Sequence, residues 1–217
     1  MSQHSSHHGV VVGVDGSSSA QAAVWWAARE AAMRHLPLMI VHVLAPLPAA
    51  SALGWPAGRV PEEILAIQEA EGRDFIAEAT MAARDSVGDQ HIDIAGELFM
   101  GSPVTVLAEV SVDATMVVVA SRGRSAKHRR LLGSVSAGLL HHAHCPVAIV
   151  PDAEESPEIG RLPVLVGIDG SAASELATAV AFDEASWRGV DLVALHVWSD
   201  ADMSCLPSFE EPVKLFV

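Results

Sequence analysis

The chain has 217 residues, half of them hydrophobic, with 13 Lys and Arg against 27 Asp and Glu and a formal net charge of −14. That length admits one large domain or one and a fraction, and the acidic balance argues against general nucleic-acid binding, which draws its affinity from an extended cationic face. Two cysteines, Cys145 and Cys205, are too few for a disulfide framework, and the opening MSQHSSHHG lacks the charged and apolar regions of a secretory signal, so a cytoplasmic setting is expected.

Residues 1–8 are expected to form a disordered start. From there apolar runs and Ala-rich helical patterns alternate. Strands are predicted near 9–14, 38–44, 92–99, 115–120 and 146–150, and helices near 18–35, 61–86, 103–112 and 134–143. The strands are rich in Val and Ile without polar alternation, the pattern of strands buried on both faces of a parallel sheet. Residues 35–58 hold no Asp, Glu, Lys or Arg, but Pro37, Pro46, Pro48 and Pro56 break the run, so it reads as a buried strand and a loop over 45–60 rather than a membrane span. An acidic, Pro-containing linker follows at 151–163.

The chain then repeats itself. VVGVDGS at 11–17 returns as LVGIDGS at 165–171, a constant offset that carries Asp15 to Asp169, Glu30 to Glu184 and His42-Val43 to His196-Val197 without a gap. The expected organisation is one complete domain over 9–150 and a truncated second repeat over 164–217. The fold expected for the first is an α/β doubly wound, five-stranded parallel sheet, Rossmann-like, with a partial second copy behind it.

In such a sheet ligands bind beyond the carboxyl ends of the strands where the winding reverses, here strands one and four. Asp15 ends the first strand. The fourth leads into SRGRSAKHRRLLGSVS, residues 121–136, where Arg122, Arg124, Lys127, His128, Arg129 and Arg130 gather six cationic side chains in an acidic protein. Gly123 allows a sharp turn and a close backbone approach, while Gly133-Ser134 opens a helix whose free N–H groups favour a phosphate, with Ser134 and Ser136 as hydroxyl donors. The segment is neither a Walker A loop nor the dinucleotide fingerprint. A nucleotide phosphate chain is the expected ligand.

The stretches VVGVDGSSSAQAAVWWAAREA, LPLMIVHV, GSPVTVLAEVSVDATMVVVASRGR and LLGSVSAGLLHHAHCPVAIVP, in this order, resemble the universal stress protein family, in its tandem-domain mycobacterial form. The resemblance implies the adenine nucleotide alpha hydrolase-like fold with strand order 3-2-1-4-5, and pairing of the fifth strand with its equivalent in a homodimer or a second domain. It implies ATP, with or without Mg²⁺, as the ligand: Asp15 at the ribose or base, Val43 offering its backbone to adenine, and Gly123, Gly133, Ser134, Val135 and Ser136 around the phosphates. It also marks a departure. ATP-binding members carry Gly-x-x-Gly, nine residues, then Gly-Ser or Gly-Thr; here the spacing of nine holds, but Ala120 stands at the first glycine. If that position takes a positive φ, alanine costs about 1 kcal/mol or more, and if phosphates approach it a methyl collides with them. ATP binding is then weakened or absent.

Three functions follow: an adenine-nucleotide-binding stress sensor or regulator, a nucleotide-independent dimerising module whose site Ala120 has degraded, and a slow ATPase or phosphotransferase. No catalytic residue is assigned. The plainer readings are that Asp15 caps the first helix, that the basic run is a solvated loop and that Cys145 is a small buried residue. His141, His142 and His144 lack the converging set a zinc site needs, so no metal is assigned.

Overall fold

The computed structural model describes residues 9–46, 60–123, 132–151 and 162–197. The expected loop tip, the basic residues Arg124 to Arg130, most of the linker and the segment from 198 onward lie outside the described residues, as does the N-terminal start. The chain divides into two compact units, residues 1–153 and 154–217.

In the first unit, β1 (Gly9–Val14), β2 (Leu38–Leu44), β3 (Ile94–Met100), β4 (Ala114–Ala120) and β5 (Val147–Val150) form one sheet in the order β3-β2-β1-β4-β5. Every pairing is parallel. The helices are α1 (Ser18–Met33), α2 (Glu62–Val87), α3 (Pro103–Val110) and α4 (Ser134–His142). α1 and α2 cover one face, where Ala23, Ala27 and Ala31 of α1 and Ala79 and Ala83 of α2 pack with Val10, Val12, Ile40 and Val118. Leu107 of α3 and Leu139 of α4 cover the other face over Val11, Val41 and Val117. Small alanines bring α1 close to the sheet, and the β-branched residues of β1 and β4 are buried from both sides. The reversal of winding falls between β1 and β4.

Several boundaries differ from expectation, each for a local reason. α1 stops at Met33 rather than at residue 35, because His35 takes a left-handed φ of 56° and Leu36 N–H turns back to Ala31 O at 2.9 Å. α3 ends at Val110, followed by a 3₁₀ turn over Ser111–Asp113. There the buried Ser111 hydroxyl donates to Ala108 O and accepts from His144 N–H, which draws the chain out of helical register. β3 runs over Ile94–Met100 instead of 92–99, since its limits are those of β2, its one neighbour among the described residues, with Leu38 in register with Ile94 and Leu44 with Met100.

The second unit holds β6 (Val164–Gly167), α5 (Ala172–Arg188) and β7 (Leu192–Leu195), with β6 and β7 parallel. Val164, Val166, Ala181 and Ala185 make its core. On the opposite face of the strands Leu165, Val193 and Leu195 are exposed.

Candidate functional site

Asp15 follows the last residue of β1, in a turn that begins α1. Its Oδ1 accepts the Ser17 N–H at 3.0 Å, and the Ser17 hydroxyl accepts the Ala20 N–H at 3.2 Å. Ser17 is therefore the helix cap, and Asp15 holds the turn instead. Gly16, between them, has φ +75° and lies against Phe75 of α2: a Cβ there would sit 2.5 to 2.7 Å from the ring.

The other carboxylate oxygen faces the end of β4. Asp15 Oδ2 lies 2.6 Å from where a Cβ on Gly123 would be. The φ of Gly123 is not in the left-handed region, and the absence of a side chain there leaves room for the Asp15 carboxylate. Ala120 is likewise in no positive-φ conformation; it ends β4 in register with Val150, and its side chain packs against the α1–α2 core. The backbone strain expected of alanine there is absent.

From β4 the chain is pinned into α4. Ser121 N–H donates to Val150 O at 2.7 Å, and Gly133 N–H to Ser121 O at 2.8 Å. The Ser136 hydroxyl, 2 % exposed, lies 3.2 Å from Ser121 O and 3.0 Å from Gly133 O. A hydroxyl has one proton, and both neighbours are acceptors, so Ser136 closes the loop onto the helix rather than presenting a free donor. Gly133 is the N-cap of α4 in extended conformation, and among the described residues no side-chain cap bond is made to the first turn. The first helical bond closes from Ala137 N–H to Gly133 O, so the N–H groups of Ser134, Val135 and Ser136 stand at the open end of the helix. Ser134 is exposed at this end, and Val135 is half-buried against the core beneath. Arg122 is half-buried and has a partner.

Val43 is half-buried on β2, one residue past the end of the β1–β2 pairing, which closes at Val14 with His42. The structure thus brings Asp15, Gly123 and Gly133-Ser134 together at the carboxyl ends of β1 and β4 and sets Val43 on β2, the strand at the other side of β1. An anion fits the N-terminal end of α4, whereas the Asp15 carboxylate suits a hydroxyl or amine donor. One ligand carrying both kinds of group matches the pair, and the positions of Gly123 and Gly133 carry no side chain to obstruct it.

His42, which the sequence marks only as part of the repeat, is a neighbour of the site. It is 9 % exposed, its Nδ1 lies 2.7 Å from Val14 O, and its ring meets Phe75 edge-on at 5.4 Å. Its repetition as His196 was the one available signal; Phe75 offered none. A cleft of about 160 Å³ opens between α1 and α2 beside Gly16, Ser17 and Phe75, and none of the expected phosphate-binding residues lines it.

The second unit repeats the turn. Ser171 N–H donates to Asp169 Oδ1 at 2.8 Å, the Ser171 hydroxyl caps α5 through Ser174 N–H, and His196 Nδ1 lies 2.7 Å from Ile168 O. The Ser171 N–H, helped by the Ser171 and Ser174 side chains, holds the Asp169 carboxyl below its usual range. Elsewhere, burial pushes the Cys145 thiol up to about 11 against a weaker opposing bond from the Val117 backbone, so it stays protonated at neutral pH and is a poor nucleophile. Among the described residues no three His, Cys, Asp or Glu side chains converge as a metal site. No helix among them is long and apolar enough to cross a membrane.

A sequence profile of the universal stress protein family matches residues 7–151 and 161–215. Universal stress protein Rv2005c of Mycobacterium tuberculosis is 49% identical over 212 residues, which are 97% of this chain and 70% of that protein. A second relative from the same organism, universal stress protein Rv2623, is 45% identical over 214 residues, 98% of this chain and 71% of that protein. Among solved structures, a universal stress protein in complex with cAMP is 28% identical with a TM-score of 0.50, over 66% of this chain and 96% of that one. A universal stress protein of Archaeoglobus fulgidus shares the fold at a TM-score of 0.71 and 19% identity, over 92% of this chain and 70% of that one.

Proposed function

Because the chain belongs to the universal stress protein family, we propose that its first domain, residues 9–150, binds ATP or a related adenine nucleotide across the carboxyl ends of β1 and β4 and serves as a stress sensor or regulator in the cytoplasm. The observation that carries this is the meeting of Asp15 Oδ2 with Gly123 beside the first turn of α4. Asp15 accepts a hydroxyl or amine from the ribose or base, and the Val43 backbone meets the adenine edge. The N–H groups of Ser134, Val135 and Ser136 receive phosphate oxygens, with Gly123 and Gly133 leaving the approach open. Ser136 takes part through its backbone, its hydroxyl being engaged in the loop. The bound nucleotide supplies a polyanion that a helix N-terminus can read, with Mg²⁺ accompanying the phosphates. The cAMP complex of a relative with 28% identity supports the adenine class. The readout is conformational rather than rapid turnover.

The second repeat begins at Val164, after a linker at 151–163, and no glycine loop follows its Asp169 turn in residues 170–217 of the sequence. β5 pairs on one side only among the described residues, and pairing of its free edge with a second copy would make a homodimer.

Calorimetric titration of ATP, with and without Mg²⁺, into protein stripped of co-purified nucleotide tests the reading, with cAMP as comparator. Micromolar binding that falls at least tenfold in Asp15→Ala is expected. A folded wild-type protein that binds neither nucleotide overturns it in favour of a nucleotide-independent dimerising module.

A further inference from the structure

His42 is a buried ionisable side chain that nucleotide contacts alone leave without a task. Its Nδ1 lies 2.7 Å from Val14 O, and a carbonyl oxygen only accepts, so Nδ1 carries the proton and donates. The bond falls where pairing between β1 and β2 ends, at Val14 with His42; beyond it no β2 residue is in register with the Asp15 turn. Phe75 closes the arrangement from α2. Its ring meets His42 edge-on at 5.4 Å and underlies Gly16, where a Cβ would come within 2.5 to 2.7 Å. Gly72 makes that seat possible, since a Cβ there would stand 2.9 Å from His42 Cδ2.

We propose that His42, backed by Phe75, is the positioning residue of the nucleotide site, fixing the Asp15 turn relative to Val43. The role rests on the nucleotide reading. Asp15 is tied to its own turn through Ser17 N–H, so the carboxylate goes where the turn goes. His42 anchors the last carbonyl before that turn and immediately precedes Val43 in the chain. One side chain thereby sets the spacing between the residue assigned to the ribose or base and the residue assigned to the adenine edge. A site so preorganised spends less binding free energy on ordering. The second unit shows that the hydrogen bond alone does not bury the ring: His196 makes the same 2.7 Å contact with Ile168 O but is exposed.

Asparagine places its amide N–H₂ where the imidazole places Nδ1, whereas leucine fills similar space without a donor. The test compares wild type, His42→Asn and His42→Leu in the full chain by two readouts, amide hydrogen exchange at Ser17 and affinity for ATP with Mg²⁺. In wild type and His42→Asn, Ser17 is expected to stay protected and affinity to agree within about threefold; in His42→Leu, exchange rises and affinity falls about tenfold, the loss of one well-placed hydrogen bond. Phe75→Leu moves both readouts in the same direction by less, and decides the matter if His42→Leu does not fold. Unchanged Ser17 protection in the Leu variants, or an Asn variant no better than Leu, overturns the proposal. If wild type binds no nucleotide, the nucleotide reading fails and the positioning role at the site fails with it, while Ser17 exchange still reports whether His42 holds the turn.

Discussion

The Asp15-Gly16-Ser17 and Asp169-Gly170-Ser171 turns are local twins in different company. Both close an Asp-to-Ser backbone bond, at 3.0 and 2.8 Å, both cap a helix through serine, and both carry a His-to-carbonyl contact of 2.7 Å. Both helices also bury a glutamate paired with an arginine one turn on, Glu30 with Arg34 and Glu184 with Arg188. Yet Gly16 is packed on Phe75 while a Cβ on Gly170 would meet nothing within 4 Å among the described residues, and Asp15 faces Gly123. The turn is a property of its own few residues. The site is a property of what distant segments bring against it.

The largest expected effect separates the two glycines. Gly16→Ala combines a left-handed φ of +75° with a collision on Phe75 and is expected to cost about 3 kcal/mol or more, whereas Gly170→Ala, at +81° in open space, costs about 1 kcal/mol. Denaturant unfolding of the two variants measures the difference, and equal costs would mean that Phe75 does not confine Gly16.

Next in size is Gly123→Ala. The atom in its way is the end of one short side chain, so the fold tolerates the change, but Asp15 must turn aside. Nucleotide affinity is expected to fall about tenfold, which is ~1.4 kcal/mol, with little change in melting temperature. A variant that melts like wild type and binds as tightly would detach Asp15 from the site.

Ala120→Gly is a smaller perturbation with an informative sign. Because Ala120 sits in strand register with its methyl on the core, glycine is expected to lower stability by about 0.5–1 kcal/mol without improving affinity. Tighter ATP binding in this variant would show that the methyl obstructs the ligand after all.

The smallest effect concerns protons at the second turn. Asp169 is held below its ordinary range by the Ser171 N–H, so its folded-state value is depressed. Its stabilisation of the turn is present above the unfolded value of about 3.9 and is lost as pH falls through the lower folded value. NMR titration of the Asp169 carboxyl should show a midpoint below that of an unstructured aspartate; an ordinary midpoint would mean that the bond is not maintained in solution.

These contrasts also mark what the sequence made legible. The meeting of β1 with β4 follows from apolar runs and a winding rule, and the strand order from a resemblance whose motifs span the first domain. The seven-residue β2 then set the limits of β3. The reasons behind single residues were less accessible. Gly123 reads as a turn glycine until Asp15, more than a hundred positions earlier, is seen beside it. Ser136 reads as a ligand donor until Ser121 O, 15 residues back, is found close to its hydroxyl. Phe75 touches His42 across a helix-to-strand packing that leaves no periodic trace, because a ring edge against an imidazole imposes no spacing on the chain.

The His42-to-Val14 contact joins residues 28 apart and encloses one helix, whereas β1 meets β4 by pairing residue 9 with residue 114. Loop-closure entropy favours the shorter circuit, which sets an order in time. The strand-helix-strand half, with its aspartate already turned and its histidine already donating, is expected to form early; Gly123 and α4 arrive only when the long connection closes. Ligand recognition would then be among the last properties a folding molecule acquires, and a nucleotide would select chains that have finished.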